Sequence, residues 1–199
     1  MALRRFSTSN ISGSKSAKLW DGETFPGYFE SIATVTVSSG TANVEFTSIP
    51  ATYTHLQVRY LARSARTNDN GATMLIQFNS DTGNNYSYHI VYGDGASATA
   101  YNGSTTNVMR SYSVCSSSSS NTDIYGVGVI DILDYANTNK YKTLRHLGGY
   151  DRNGAGELNL ASGLWQSTNA ITSIKFTLSE SVANYETDSH FALYGIRSA

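Results

Sequence analysis

The sequence predicts an all-β protein: one antiparallel β-sandwich, preceded by an extended N-terminal arm. Three observations predict it. The chain of 199 residues carries 14 Tyr and is 12% aromatic but only 15% charged, and strands favour aromatic and β-branched residues while helices favour the Glu, Lys and Leu that are sparse here. From residue 31 onward, short alternations of apolar and polar residues recur between turns of Gly, Asn, Asp and Ser. Residues 1–30 show no such alternation. A chain of this length builds one substantial core and is short for two. The expected division is an arm over 1–30 and a sandwich over 31–199.

The strands follow in order. "IATVTV" (32–37) and "ANVEFTSI" (42–49), joined by "SSGT", read as a hairpin. In "HLQVRYLAR" (55–63), Leu56, Val58, Tyr60 and Ala62 share one face, and His55, Gln57, Arg59 and Arg63 the other. "TMLIQF" (73–78) aligns Met74, Ile76 and Phe78, and "YSYHIVY" (86–92) follows the turn "SDTGNN" and ends at "GDG". "SYSVC" (111–115) precedes a run of five serines. In "IYGVGVIDIL" (124–133), Gly126 and Gly128 indicate a bulge or close packing. "YKTLRHLGGY" (141–150), "ELNLASGLWQ" (157–166), "ITSIKFTL" (171–178) and "HFALYGI" (190–196) complete the set, with "DYANTNK" (134–140) as a turn. Such spacing favours a sandwich, jelly roll or barrel.

The residues that usually carry chemistry are scattered. His55, His89, His146 and His190 form no ligand-spaced pair, and the single Cys115 offers neither a disulfide nor a thiolate cluster, so no metal site or cofactor is expected. Two acids on a sandwich invite comparison with glycoside hydrolysis. Asp131 and Asp134, however, differ in parity on an extended strand, and Asp134 opens a turn, so no catalytic residue is expected. "NSDTGNN" (79–85) and "YGDG" (92–95) imitate calcium loops but lack the spaced acids and read as hairpin turns. Tyr86, Tyr88, Tyr92 and Tyr101, if exposed, offer stacking surfaces for sugar or for a subunit interface. No apolar run reaches the length of a membrane helix, and no secretory h-region is present, so neither a membrane nor a secretion role is expected.

The arm is basic, with Arg4, Arg5, Lys15 and Lys18, and ends in the aromatic stretch "SAKLWDGETFPGYFE" (16–30). Four charges without interleaved aromatics, on a chain of net charge -1, give little affinity for nucleic acid, which is not expected as a partner. A protein surface uses the same residues better. Arg4 and Arg5 would pair with carboxylates, and Trp20, Phe25, Tyr28 and Phe29 would act as anchors. Equally, these aromatics cap an open end of their own sandwich; both readings stand at this point.

The phrases "KLWDGETFPGYFESIATVTV", "EFTSIPATYTHLQVRYLAR", "VIDILDYANTNKYKTLRHLGGYD", "SGLWQSTNAITSIKF" and "FALYGI" resemble a group of structural proteins of tailed bacteriophages, cyanophages in particular. The resemblance runs from Lys18 to Ile196. It implies a non-enzymatic jelly-roll module of the virion, trimeric on the outer capsid surface as a cement (decoration) protein, with the major capsid protein and its own copies as partners. The alternative within the resemblance is a tail-located adhesion module that recognises host glycan. The short single domain, without a fibrous stalk, and the basic arm favour the capsid.

Overall fold

A computed structural model describes residues 28–66, 71–116, 123–179 and 184–198, with the backbone alone for 112–116. Twelve strands and no helix occur among them. These are β1 (Phe29–Thr36), β2 (Asn43–Phe46), β3 (His55–Ala62), β4 (Gly71–Phe78), β5 (Tyr86–Gly93) and β6 (Ala98–Thr106). They continue as β7 (Met109–Ser116), β8 (Gly126–Leu133), β9 (Lys142–Asp151), β10 (Gly156–Trp165), β11 (Ile174–Leu178) and β12 (His190–Ile196). All pairings are antiparallel, in a sheet of eight ordered β1-β12-β3-β8-β9-β10-β5-β6 and a sheet of four ordered β2-β11-β4-β7. Every link crosses between the sheets except the β5–β6 hairpin and the β8–β9–β10 meander. Strands β1-β12-β3-β8 facing β2-β11-β4-β7 have the connectivity of a jelly roll, and β9, β10 and the β5–β6 hairpin extend its large sheet.

The core follows the alternation read from the sequence. Leu56, Val58, Tyr60 and Ala62 point between the sheets and are buried, as are Met74, Ile76 and Phe78 from the opposite sheet. A stack of rings joins the layers: Phe176 of β11 lies 5.4 Å from Phe191 of β12, which lies 5.6 Å from Tyr60. Gly128 proves to be a position of close packing. A Cβ there would stand 2.4 Å from the Tyr60 hydroxyl.

Two expected hairpins are not hairpins. β1 pairs with β12 in the large sheet and β2 with β11 in the small one, so "SSGT" sits within a crossover. This crossover is zipped to the one returning from β11 to β12: Val37 N–H donates to Ser189 O (2.8 Å), and Tyr185 N–H to Thr41 O (2.8 Å). Long-range pairing therefore outcompetes the local turn. "NSDTGNN" likewise carries the chain from β4 to β5 in the other sheet. Its Asp81 carboxylate accepts from Gly83 N–H (2.8 Å), Asn85 Nδ2 (2.9 Å) and Trp165 Nε1 (2.7 Å), fixing the loop to the end of β10. "YGDG" does begin the β5–β6 hairpin, where Asp94 accepts from Ala96 and Ser97 N–H and Gly95 has φ 89°. β6 itself, "ATAYNGSTT", has no apolar alternation to announce it; it forms by pairing with β5 as a sheet edge. Phe29 and Glu30, assigned to the arm from the sequence, form the first rungs of β1.

One buried cation ties two loops together. Lys142, fully buried at the start of β9, donates from Nζ to the carbonyls of Asn137 (2.5 Å), Lys140 (2.8 Å) and Thr168 (3.1 Å). Burial, then the nearby Lys140, lowers its pKa, while Asp134 opposes the shift. Lys142→Met keeps the stem and strands three carbonyls, a loss of about 2–4 kcal/mol. The expected result is a cooperative fold whose melting temperature is lower by roughly 5–15 °C in calorimetry.

Candidate functional site

In an antiparallel sheet with one face in water, the outward positions should be polar. The large sheet obeys this in one row only. Across the strands, Gln57, Asp131, Arg145, Ser162, His89 and Asn102 stand side by side on the outer face. The next row outward reads Arg59, Val129, Leu147, Leu160, Val91 and Ala100. Beyond it come Leu61, Val127, Gly149, Leu158 and Gly93. Leu158 is 63% exposed, and Val127 and Leu147 are each 52% exposed. A groove of about 840 Å³ runs over this second row. Gly149 forms part of its floor, where a Cβ would meet the Glu157 carbonyl at 2.4 Å. Two adjacent aliphatic rows with a polar row beside them are the composition of an interface core and its rim.

At its β3–β8–β9 end the polar row satisfies itself. Asp131 accepts from Gln57 Nε2 and Arg145 Nη2, both at 2.8 Å. Partial burial pushes its carboxyl upward, but the bonds from Arg145 and Gln57 outweigh that and hold it below the usual range. Asp134, with φ 49°, is held low chiefly by its hydrogen bond from Lys140. Neither acid is therefore kept protonated near neutral pH, as a general acid must be. Among the described residues, no group of three His, Cys, Asp or Glu side chains is placed to hold a metal ion.

Of the residues expected to bind a partner, Arg4, Arg5, Trp20 and Phe25 lie outside the described residues. Tyr28 and Phe29 are described and exposed. Phe29 points to the outer face, stacks on Tyr194 at 4.8 Å, and both rings lie under the Arg59 guanidinium at 5.4 and 5.7 Å. Sequence reasoning grouped Phe29 with the arm and missed Tyr194 and Arg59 as its neighbours. Two of the tyrosines considered for stacking on sugar are corrected: Tyr86 and Tyr88 point inward and are buried. Tyr92 and Tyr101 stack on each other at 5.8 Å, and Tyr101 remains exposed. The aliphatic rows were also missed. Their signal is present in "VGVIDIL" and "LNLASGL", which are apolar at both parities.

A second constellation lies inside the sandwich. His146 is fully buried, with Nε2 2.7 Å from the Tyr60 hydroxyl and Nδ1 2.5 Å from Ser111 Oγ. Ser111 Oγ in turn donates to Asn159 Oδ1 at 3.1 Å. That direction makes Nδ1 the protonated nitrogen and Nε2 the acceptor from Tyr60. A Ser–His contact invites a catalytic reading, but Ser111, His146 and Asn159 are all shut away from solvent, so the chain of bonds serves the core. Burial pushes the His146 pKa down to about 4, against a partial upward pull from Asn159. The unfolded state, titrating near 6.5, then binds more protons than the folded state between about pH 4 and 6.5. The stability this group confers is complete above that window and is lost as pH falls through it, by about 3 kcal/mol. In His146→Gln, the urea midpoint should lose this component of its pH dependence relative to wild type, with the remaining slope unchanged.

No family model matches this chain, and no curated protein matches it. Among solved structures it is similar to one described as the crystal structure of HCR/D-Sa-GBL1/C, at 12% identity and a TM-score of 0.32, over 87% of this chain and 44% of that one. The chain thus spans less than half the length of that neighbour, and the likeness is too slight to bear on function.

Proposed function

We propose that this protein is a structural module of a tailed-bacteriophage virion, a capsid cement protein that binds across joints of the major capsid protein on the outer surface of the head, as a homotrimer. The observation that carries the proposal is the pair of exposed aliphatic rows on the outer face of the large sheet. Such a surface is adhesive toward protein and offers no reactive group. Aliphatic side chains suit a desolvated protein interface, whereas sugar recognition draws on aromatic platforms. The mechanism is thermodynamic. A protein that binds only the assembled shell shifts the equilibrium toward it by mass action, in proportion to the logarithm of its free concentration over its Kd. No catalytic residue, metal or cofactor takes part.

A second reading, a tail-located glycan-binding module, is favoured by the Phe29–Tyr194–Arg59 cluster and the exposed Tyr101. Leu147→Asp combined with Leu158→Asp separates the two. Both side chains point outward, so the variant should fold with an unchanged circular dichroism spectrum and similar melting temperature. Its co-sedimentation with mature heads should weaken by about 100-fold or more. Unchanged decoration would remove this face from the docking surface, and a hit on a glycan array with label on the tail would replace the capsid reading.

A further inference from the structure

We infer that β6, the open edge of the large sheet, pairs with β6 of a second copy of this chain about a two-fold axis at Tyr101, joining the two large sheets into one. The first ground is what this edge lacks. Natural sheets guard their edges with charged side chains, proline, bulges or short strands, because an open row of backbone groups is a template for another strand. Among the described residues, β1, β6, β2 and β7 stand at sheet edges. β1 carries Glu30 and a register shift between Ser31 and Ala33, β2 is four residues long and carries Glu45, and β7 carries Arg110. β6 has no such guard over Ala98–Gly103, and the sequence from Gly95 to Met109 contains no charged residue. In a two-fold contact the charges near the axis meet their own copies, so a charge-free edge suits a second copy of itself.

The second ground is the phase of the hydrogen bonds. Asp94 N–H donates to Ser97 O across the β5–β6 turn (3.2 Å). Bonded and non-bonded pairs alternate along an antiparallel ladder, so Tyr92–Thr99 and Ile90–Tyr101 are the bonded pairs that follow. On the other side of β5, Gln166 N–H donates to Asn85 O (2.8 Å), which turns the odd-numbered residues of β5 toward β10 and agrees with this phase. The backbone groups of Ala98, Ala100 and Asn102 therefore point away from β5, along the open edge. A two-fold axis at Tyr101 sets Ala100 opposite Asn102 of the second copy as a bonded pair, and Tyr101 opposite its own copy in the non-bonded position.

The third ground is Tyr101 itself. Its ring stacks on Tyr92 at 5.8 Å with an interplanar angle of 4°, yet it is 43% exposed. Residues at a non-bonded position stand about 4.5 Å apart at Cα, so the two rings pack together and carry the stack across the axis. The regular edge ends just beyond, where Thr105 has φ 58° and the register against β5 shifts after Gly103. The axis is perpendicular to the sheet, so both outer faces look the same way and their aliphatic rows stay open to another protein. So short a contact is weak between dilute copies and gains strength between copies held side by side on a surface. The pairing does not depend on the cement reading; on a head it joins adjacent bound copies.

The test follows the mass of the full chain by light scattering over a micromolar concentration series. Ala100→Lys with Asn102→Lys sets ammonium groups against each other across the axis. At the top of the series wild type should reach twice the mass of this variant, with equal melting temperatures when dilute. Ala100→Glu with Asn102→Glu should also keep the smaller mass, and an equimolar mixture of the two variants should regain the larger one. In a Cys115→Ser background, Tyr101→Cys should form a disulfide-linked pair under mild oxidation several-fold faster than Thr99→Cys, whose copies lie farther apart along the strands. Equal masses for wild type and the Lys variant overturn the pairing, as does a mixture that fails to regain the larger mass. Equal disulfide rates at the two positions overturn the axis at Tyr101. Head co-sedimentation lost in the Lys variant, with no self-association of wild type, overturns the pairing and assigns the edge to a strand of the shell protein. Self-association without co-sedimentation keeps the pairing and ends the cement reading, and co-sedimentation without self-association does the reverse.

Discussion

Eight strands stacked edge to edge span about 34 Å and four span about 14 Å, and the smaller sheet of this protein must cover the larger. Much of the molecule answers that mismatch. At one flank the inner face is closed by loop tyrosines: Tyr53 lies under Gly195, and Tyr135, fully buried, donates its hydroxyl to the Pro50 carbonyl. Toward the other flank Tyr86 fills the gap beside Trp165 and hydrogen-bonds the backbone of Phe78, with burial pushing its phenol up to about 12. Farther out, Tyr88 lies flat over Gly103, and Tyr92 stacks on Tyr101. A tyrosine supplies a ring for the core and a hydroxyl for a loop. That double use accounts for several of the 14 tyrosines in the composition.

The same geometry gives the central strands two apolar faces. β8, β9 and β10 meet the small sheet on one side, and on the other they carry the rows built on Leu147, Leu158 and Leu160. Between these faces the interior holds a polar chain from Tyr60 through His146 and Ser111 to Asn159. Gly128 and Gly148 leave room for it by having no side chain, since a Cβ at either would collide with Tyr60 or His146. A satisfied network of this kind specifies one register, because sliding any strand strands its donors.

What the sequence disclosed depended on whether neighbours in sequence are neighbours in space. The alternation in β3 and β4 was legible because each strand carries its own pattern, and the inward positions Leu56 to Ala62 followed from parity alone. The "SSGT" link misled because the pairing of β1 with β12 joins segments more than 150 residues apart. Nothing local records such a partner. β6 escaped notice because an edge strand of Ala, Thr and Ser needs no apolar face. The aliphatic rows were written in the strands at both parities, but their meaning required the register of six strands. Tyr86 and Tyr88 turn inward, a choice that tyrosine, suited to either face, does not declare in the sequence.

The zipped crossovers place β1 beside β12, with Phe29 opposite Ile196. A pull applied to Tyr28 along the axis of β1 would load the whole ladder against β12 in shear, so that its rungs yield together rather than in sequence.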